Sequence, residues 1–275
     1  MMPSRNTELN REEPWLTIVK VGGAVVEDEQ QLARLLQDFC AIEGPKILVH
    51  GGGRRATKMA ERLGIETKMV NGRRITDADM LEVVTMVYGG LVNKNVVARL
   101  QALGCNAIGL TGADANIILS TKRPVTVVDG LPVDFGFVGD VKQADGGILA
   151  SLIDAGLIPV IAPLTHDGQG HLLNTNADTM ASETAKAMAA AGYDVTLIYA
   201  FEKPGVLRNP NDDNSVIPTI TRADFDAYRT DGTISGGMLP KIENALAATD
   251  AGVKRVIITS ATAIDGQHGT VITTN

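Results

Sequence analysis

The sequence has only two cysteines, Cys40 and Cys105. Each sits in an apolar helix or strand pattern and neither has a paired spacing such as C-x-x-C, so no zinc site and no disulfide framework is expected. Positive charge is also short: 25 Lys+Arg against 32 Asp+Glu leave a formal net charge of −7. That balance argues against a generic binder of nucleic-acid backbones or anionic membranes. No apolar run approaches the ~20 residues of a membrane helix. The first fourteen residues, Met1 to Pro14, are polar and carry both charge signs, with no signal-peptide core and no arginine-rich transit pattern. A cytoplasmic protein is expected. There is no G-x-x-x-x-G-K-[ST] loop, no internal repeat with a period of 20 to 50 residues and no low-complexity tract.

What is present is a chain of 275 residues, 44% hydrophobic and 21% charged, long enough for one large core or two lobes. Short β-branched runs alternate with helical stretches, the pattern of a parallel sheet flanked by helices. The spacing predicts strands at Leu16 to Val21, Lys46 to His50, Asn106 to Leu110, Leu157 to Ala162, Val195 to Tyr199 and Arg255 to Thr259. Leu32, Leu35, Leu36 and Phe39 make one core-facing helical stripe, and Met80, Val83, Val84 and Val87 make another. Asp77 is placed to cap a long helix towards Leu103, which Gly104 would end. Asp114 to Gly139 reads as inserted antiparallel hairpins, and a helix over Thr175 to Ala191 ends at Gly192. A boundary is expected near residue 190, with a second α/β unit beyond it. Asn209 to Ser215 is a row of turn formers and reads as an exposed loop.

Several turns carry chemistry. Lys20-Val21-Gly22-Gly23 ends the first strand, where α/β proteins place ligands; glycines admit a phosphate close to the backbone and the lysine brings charge. A plain strand-to-helix turn with a solvated lysine has the same spelling. His50-Gly51-Gly52-Gly53 leads into a helix at Arg54 to Leu63, so its amides form an anion site. The same stretch fits G-x-G-x-x-A, although the dinucleotide fingerprint belongs after the first strand and wants an acidic residue ~20 positions on. Asn71-Gly72-Arg73-Arg74-Ile75-Thr76 presents two arginines able to grip a carboxylate, or only a solvated loop. Asn174-Thr175-Asn176-Ala177-Asp178 opens an alanine-rich helix, where Asp178 could simply complement the helix dipole. Gly236-Gly237-Met238-Leu239-Pro240-Lys241 sets a lysine in the first turns of a helix, a poor place for a cation unless an anion binds there. Asp134-Phe135-Gly136 copies the protein-kinase metal tripeptide without its catalytic loop or glycine-rich hairpin, and is read as coincidence.

Taken in order, Lys20-x-Gly-Gly23, His50-Gly-Gly-Gly53, Asn71-Gly-x-Arg74-x-Thr76, Asn174-x-Asn-Ala-Asp178 and Gly237-Met-x-x-Lys241 closely resemble the acylglutamate kinases of the amino acid kinase family. The resemblance covers nearly the whole chain from Leu16. It implies a three-layer αβα sandwich with an open, mainly parallel central sheet. Residues 1–190 would bind the acylglutamate and dimerise, and residues 191–275 would bind ATP. It also implies Lys20 and Lys241 as the lysines that stabilise the transferring phosphoryl group, with Asp178 holding both. Gly52, Gly53, Arg74 and Asn174 match acylglutamate-binding positions, Gly22 and Gly23 phosphate-binding ones, and Thr233 and Ser235 stand where relatives contact the nucleotide. The implied reaction is ATP-dependent phosphorylation of the side-chain carboxylate of N-acetyl-L-glutamate, a step of arginine biosynthesis, with Mg²⁺ carried on the ATP phosphates and no metal-binding side chains.

The acyl group is left open between acetyl and succinyl, with Arg73 or Lys142 able to supply the extra cation. Phe201-Glu202-Lys203-Pro204-Gly205-Val206 departs from the family's Thr-Asp-Val-x-Gly-Val in carrying Glu202 for aspartate. The arm before the first strand, with Pro3 and Pro14, does not resemble the long helix of arginine-regulated hexameric relatives, so an arginine-insensitive homodimer is expected, built on the helix from Asp77 to Leu103. The rival readings are a related kinase acting on aspartate, carbamate or a nucleotide, and a sensor that keeps the fold without turnover.

Overall fold

A computed structural model describes residues 14–274. The expectations about the arm before Pro14 therefore lie outside the described residues. The first strand, β1 (Trp15–Val21), runs into a short helix α1 (Gly23–Glu27) and then α2 (Glu29–Ala41), whose N-terminus is capped by Asp28 accepting from the amides of Gln30 and Gln31. Next come β2 (Lys46–His50) and α3 (Gly53–Arg62). A two-residue hairpin, β3 (Met69–Val70) with β4 (Arg73–Arg74), turns at Asn71 and Gly72. Both have positive φ, 46° and 73°, as a type I′ turn requires.

Asp77 then caps α4 (Ala78–Val84) through the Met80 amide. The expected long helix is one continuous rod but not one uniform helix: Thr85–Val92 is π-helical, and α5 (Asn93–Ala102) completes it, followed by Gly104 in the left-handed conformation (φ 81°). The chain continues through β5 (Ala107–Leu110), β6 (Ile118–Lys122), β7 (Thr126–Val128), β8 (Leu131–Val133) and β9 (Gly139–Ala144), then α6 (Gly146–Asp154) and β10 (Ile158–Ile161). Two further short strands, β11 (Leu164–His166) and β12 (Leu172–Asn174), lead into α7 (Ala177–Ala190). Beyond it lie β13 (Asp194–Phe201), β14 (Thr219–Ile220), α8 (Arg222–Thr230), α9 (Met238–Asp250), β15 (Arg255–Ser260) and β16 (Thr270–Ile272).

All six expected strands occur, and all belong to one eight-stranded sheet in the order β14-β16-β15-β13-β1-β2-β10-β5. It is parallel except for the β15–β16 pair. Because β1 and β2 are covered on both faces, they carry near-continuous buried residues rather than an alternating pattern. One core, on the side of α7 and α9, holds Leu16, Ile18, Leu197, Met180 and Leu246; the other, on the side of α2 and the long rod, holds Val19, Leu35, Phe39, Val84 and Leu100. The fold is thus the expected αβα sandwich. The boundary expected near residue 190 falls between α7 and β13, and the sheet runs unbroken across it through the β1–β13 pairing.

The inserted segment forms antiparallel hairpins as expected, β6 with β9 and β7 with β8, and β11 and β12 extend the first of these into a four-stranded rim sheet. The cysteine expectation needs correcting: Cys40 at the end of α2 and Cys105 beside β5 stand with Cα atoms 6.1 Å apart and their sulfurs in contact. They are 65 residues apart in the chain, so spacing alone carried no sign of the pairing. Among the described residues no helix is long and apolar enough to cross a membrane.

Candidate active site

The C-terminal ends of β1, β2 and β13 meet the start of α7, and there the expected lysines and aspartate come together. Lys20 Nζ lies 2.7 Å from Asp178 Oδ1, and Lys241 Nζ lies 3.0 Å from Asp178 Oδ2. One carboxylate thus separates two ammonium groups brought from β1 and α9. Asp178 sits in the first turn of α7, which Asn176 caps through the amides of Asp178 and Thr179. The dipole-complementing role is real but secondary, because both carboxylate oxygens are taken by lysines. Burial pushes the Asp178 carboxyl up, and the two ammonium charges, Lys20 first, outweigh that and hold it at about 2. Burial pushes Lys241 down, and Lys20 adds to this against the pull of Asp178. Lys241 also lies over the rings of Tyr199 and Phe201, at 5.4 and 5.8 Å.

A cavity of about 300 Å³ opens over this cluster, lined by Lys20, Gly22, Gly23, Gly53, Glu202 and Lys241. The Gly22 amide is spent on the Ala200 carbonyl at 3.1 Å, whereas the amides of Gly23, Gly52 and Gly53 bond no other described residue. The two glycine turns pack backbone on backbone: a Cβ on Gly23 would sit 3.5 Å from the Gly52 nitrogen. The two glycine turns therefore line one space. Glu202, the departure from the family pattern, lines this cavity and lies 3.7 Å from Arg54.

A second cavity of about 340 Å³ shares Gly23 and Gly53 with the first and adds Gly52, Arg73, Arg74, Arg123, Asn174 and Asp178. Arg74 is fixed by the Gly53 carbonyl and the Thr57 hydroxyl, both at 2.8 Å. Asn174 donates to Thr76 Oγ1 at 3.0 Å. Arg123 forks onto Asp140 and lies 5.5 Å from the Phe135 ring. The Asp134-Phe135-Gly136 tripeptide is scaffold: its backbone pairs with Thr76, and Phe135 is buried. Arg73 lines the cavity and Lys142 does not.

Thr233 and Ser235 are not part of either space. They line a third, smaller cavity of about 190 Å³ with Lys203, Gly205, Leu207, Ile234 and Met238. It adjoins the first in sequence, since Glu202 lines one and Lys203 the other. The pattern describing the amino acid kinase family matches residues 15–260. The chain belongs to the amino acid kinase family.

This family member is 65% identical over 257 residues to the acetylglutamate kinase of Bacteroides thetaiotaomicron, covering 94% of this chain and 98% of that one. At 40% identity over 257 residues, 94% of this chain also matches all of the acetylglutamate kinase of Methanopyrus kandleri. Among solved structures it is similar to the Streptococcus mutans protein smu.665, with 27% identity, TM-score 0.75, 94% of this chain and 99% of that chain covered.

Sequence reasoning missed two features of this kinase site. Tyr88, from the π-helical segment, lines the arginine cavity and leaves room for nothing but glycine at position 52, where a Cβ would come 2.8 Å from Tyr88 Cδ1. Arg123 was also missed. It reaches the cavity from the end of β6, and neither residue belongs to a glycine-marked turn.

Proposed function

We propose that this chain catalyses ATP-dependent phosphorylation of the side-chain carboxylate of N-acetyl-L-glutamate, giving N-acetyl-L-glutamyl 5-phosphate. The observation that carries this is the single carboxylate of Asp178 holding Lys20 and Lys241 at the border between an arginine-lined cavity and an amide-lined one. In-line phosphoryl transfer needs positioning and compensation of charge on the equatorial oxygens. The two ammonium groups and the unspent amides of Gly23, Gly52 and Gly53 supply that compensation. Arg74 and Asn174 would hold the acceptor, whose reacting carboxylate has a free pKa near ~4.3 and is already ionised, so no general base is required.

The nucleotide is assigned to the first and third cavities, with Thr233 and Ser235 on its base or ribose. Residues 191–275 then act mainly on ATP and residues 1–190 on the acceptor. Among the described residues no group of three or more His, Cys, Asp or Glu could hold a metal ion, and Asp178 is already occupied by lysines. Mg²⁺ therefore fits as a companion of the ATP phosphates, coordinated by their oxygens and water and adding charge compensation there. We place the enzyme in the cytoplasm as a homodimer using the rod Ala78–Ala102, on which Met86 is 53% exposed, with Leu103 just beyond it 42% exposed. Light scattering in solution tests that assembly.

Arg73 in the acceptor cavity favours one second reading, N-succinyl-L-glutamate, whose acyl group carries an additional carboxylate. The deciding experiment is ADP release by purified protein with Mg-ATP and either acylglutamate, free glutamate or no acceptor, with hydroxylamine trapping the acyl phosphate. Turnover with N-acetyl-L-glutamate supports the first reading and turnover with the succinyl compound alone the second. ATP binding without turnover on any acceptor sinks both.

A further inference from the structure

His50, the last residue of β2, is wholly buried and lines none of the three cavities. Its ring nitrogens have different partners: Nδ1 lies 2.9 Å from the Gly51 carbonyl, and Nε2 lies 3.1 Å from Nδ2 of Asn93. A carbonyl only accepts and an amide nitrogen only donates, so Nδ1 carries the proton and Nε2 is bare. The Asn93 amide spends its second hydrogen on the Val160 carbonyl at 2.9 Å, and its Oδ1 accepts from Lys94 Nζ at 3.1 Å. Lys94 Nζ also donates to the Gly109 carbonyl at 3.0 Å. Turning the Asn93 amide over would set its NH₂ against the ammonium and leave Val160 facing an oxygen. Position 109 has to be glycine for this to fit, because a Cβ there would lie on Asn93 Oδ1 and 2.7 Å from Lys94 Nζ.

The order of control is therefore directional. Lys94 fixes the Asn93 amide, the amide fixes the tautomer of His50, and His50 holds the Gly51 carbonyl inward. The glycine turn is gripped from the same rod at its other end, where Tyr88 of the π-helical Thr85–Val92 packs on Gly52. A π-helical stretch rotates the next turn of helix relative to a regular one, and it ends where Asn93 begins α5.

We propose that the exposed Lys94 and the buried Asn93 and His50 form a relay that positions the Gly51–Gly53 turn for the acceptor, with His50 a neutral Nδ1–H positioning residue. Burial, opposed by the Gly51 hydrogen bond and assisted by the Lys94 charge, pushes the His50 imidazole down to about 4, so it stays neutral across the working range. Asn93→Asp is the informative variant. A carboxylate can only accept, so His50 must donate from both nitrogens, as the imidazolium, to keep the turn in place.

Two measurements test the relay. In ¹⁵N NMR of the wild-type protein, the His50 signal, picked out from the four histidines by its loss in His50→Gln, is expected to show Nδ1 protonated and Nε2 bare. The pattern should not change between about pH 8 and about pH 6. In kinetics, Asn93→Asp is expected to raise the acceptor KM about tenfold at about pH 8, with recovery at about pH 6. His50→Gln keeps an acceptor for Asn93 and should stay within about threefold of wild type, whereas His50→Leu should raise the acceptor KM about tenfold. An Nε2–H tautomer in the wild type overturns the proposal, as does an Asn93→Asp acceptor KM that ignores pH. If Asn93→Asp does not fold, the tautomer decides alone. The identity of the acceptor rests on the kinase reading; a wild-type protein without turnover sinks that reading and leaves the tautomer result standing.

Discussion

Asn71 donates to Asp129 across 3.3 Å, joining the tips of two hairpins 58 residues apart in the chain. Both tips are built alike: Asn71-Gly72 and Asp129-Gly130 have positive φ at both residues, the signature of type I′ turns. The β3–β4 hairpin supplies Met69, Gly72, Arg73 and Arg74 to the acceptor cavity, so its partner hairpin braces one wall of the site. The contact is exposed and worth about 1 kcal/mol at most. Asn71→Ala and Asp129→Ala should each raise the acceptor KM by about two- to fivefold, and the double variant no further than either single one. Additive effects in that cycle would separate the two tips.

Gly52→Ala tests the close approach of Tyr88. The added methyl carbon would fall 2.8 Å from Tyr88 Cδ1, so the ring or the turn has to move. The turn carries the unspent amides of Gly52 and Gly53, which the proposed reaction uses, and displacement of about 1 Å costs about 10²-fold. The expected result is a kcat/KM for the acceptor lowered by about 10²-fold with thermal stability lowered by only about 1–3 kcal/mol. A variant with wild-type kcat/KM would show that the turn is not held by the ring.

Lys241 should set the alkaline limit of activity. Burial and the neighbouring Lys20 lower its pKa from 10.5, and in the proposed reaction it is the ammonium form that compensates phosphoryl charge. A pH profile of kcat/KM is expected to fall on the alkaline side before that ordinary value is reached. Lys241→Arg, which cannot lose its proton, should move the limb upward while lowering kcat. Lys241→Ala should cost about 10²- to 10³-fold in kcat at neutral pH. An unchanged alkaline limb in Lys241→Arg assigns the limit to another group.

Much of this arrangement was legible because the chemistry sits on turns that need glycine. Lys20-x-Gly-Gly23 and His50-Gly-Gly-Gly53 end two adjacent parallel strands, and parallel strands put their C-terminal ends side by side. Asp178 could be placed near both only through the resemblance, because nothing local says which lysines a helix-start aspartate meets. Tyr88 and Asn93 were not legible. Their direction depends on the π-helical segment between α4 and α5, and the apolar spacing of Met80, Val83, Val84 and Val87 reads as an ordinary helix. Arg123 escaped because an arginine after a strand looks solvated until Asp140 fixes it. The Cys40–Cys105 pairing depends on how α2 and the start of β5 pack, which no local pattern encodes.

The Asp178 carboxylate ties the proposed catalytic cluster to acid stability. Its folded pKa of about 2 lies below the ordinary 3.8, so it binds protons less readily folded than unfolded. The stability this contributes is fully present above about pH 4 and is lost as pH falls towards about 2, roughly 2 kcal/mol in all. Asp178→Asn removes that pH-dependent contribution and leaves two buried ammonium groups facing each other without a counter-charge. Thermal melts from about pH 2 to about pH 7 should therefore show the variant less stable than wild type at neutral pH, with the gap narrowing as pH falls through the acid limb. Its kcat should drop by about 10²-fold or more, because Lys20 and Lys241 lose the carboxylate that sets their spacing. A gap that stays constant with pH would mean that Asp178 is not ionised in the folded protein, and a near-normal kcat would mean that the lysines hold their places without it.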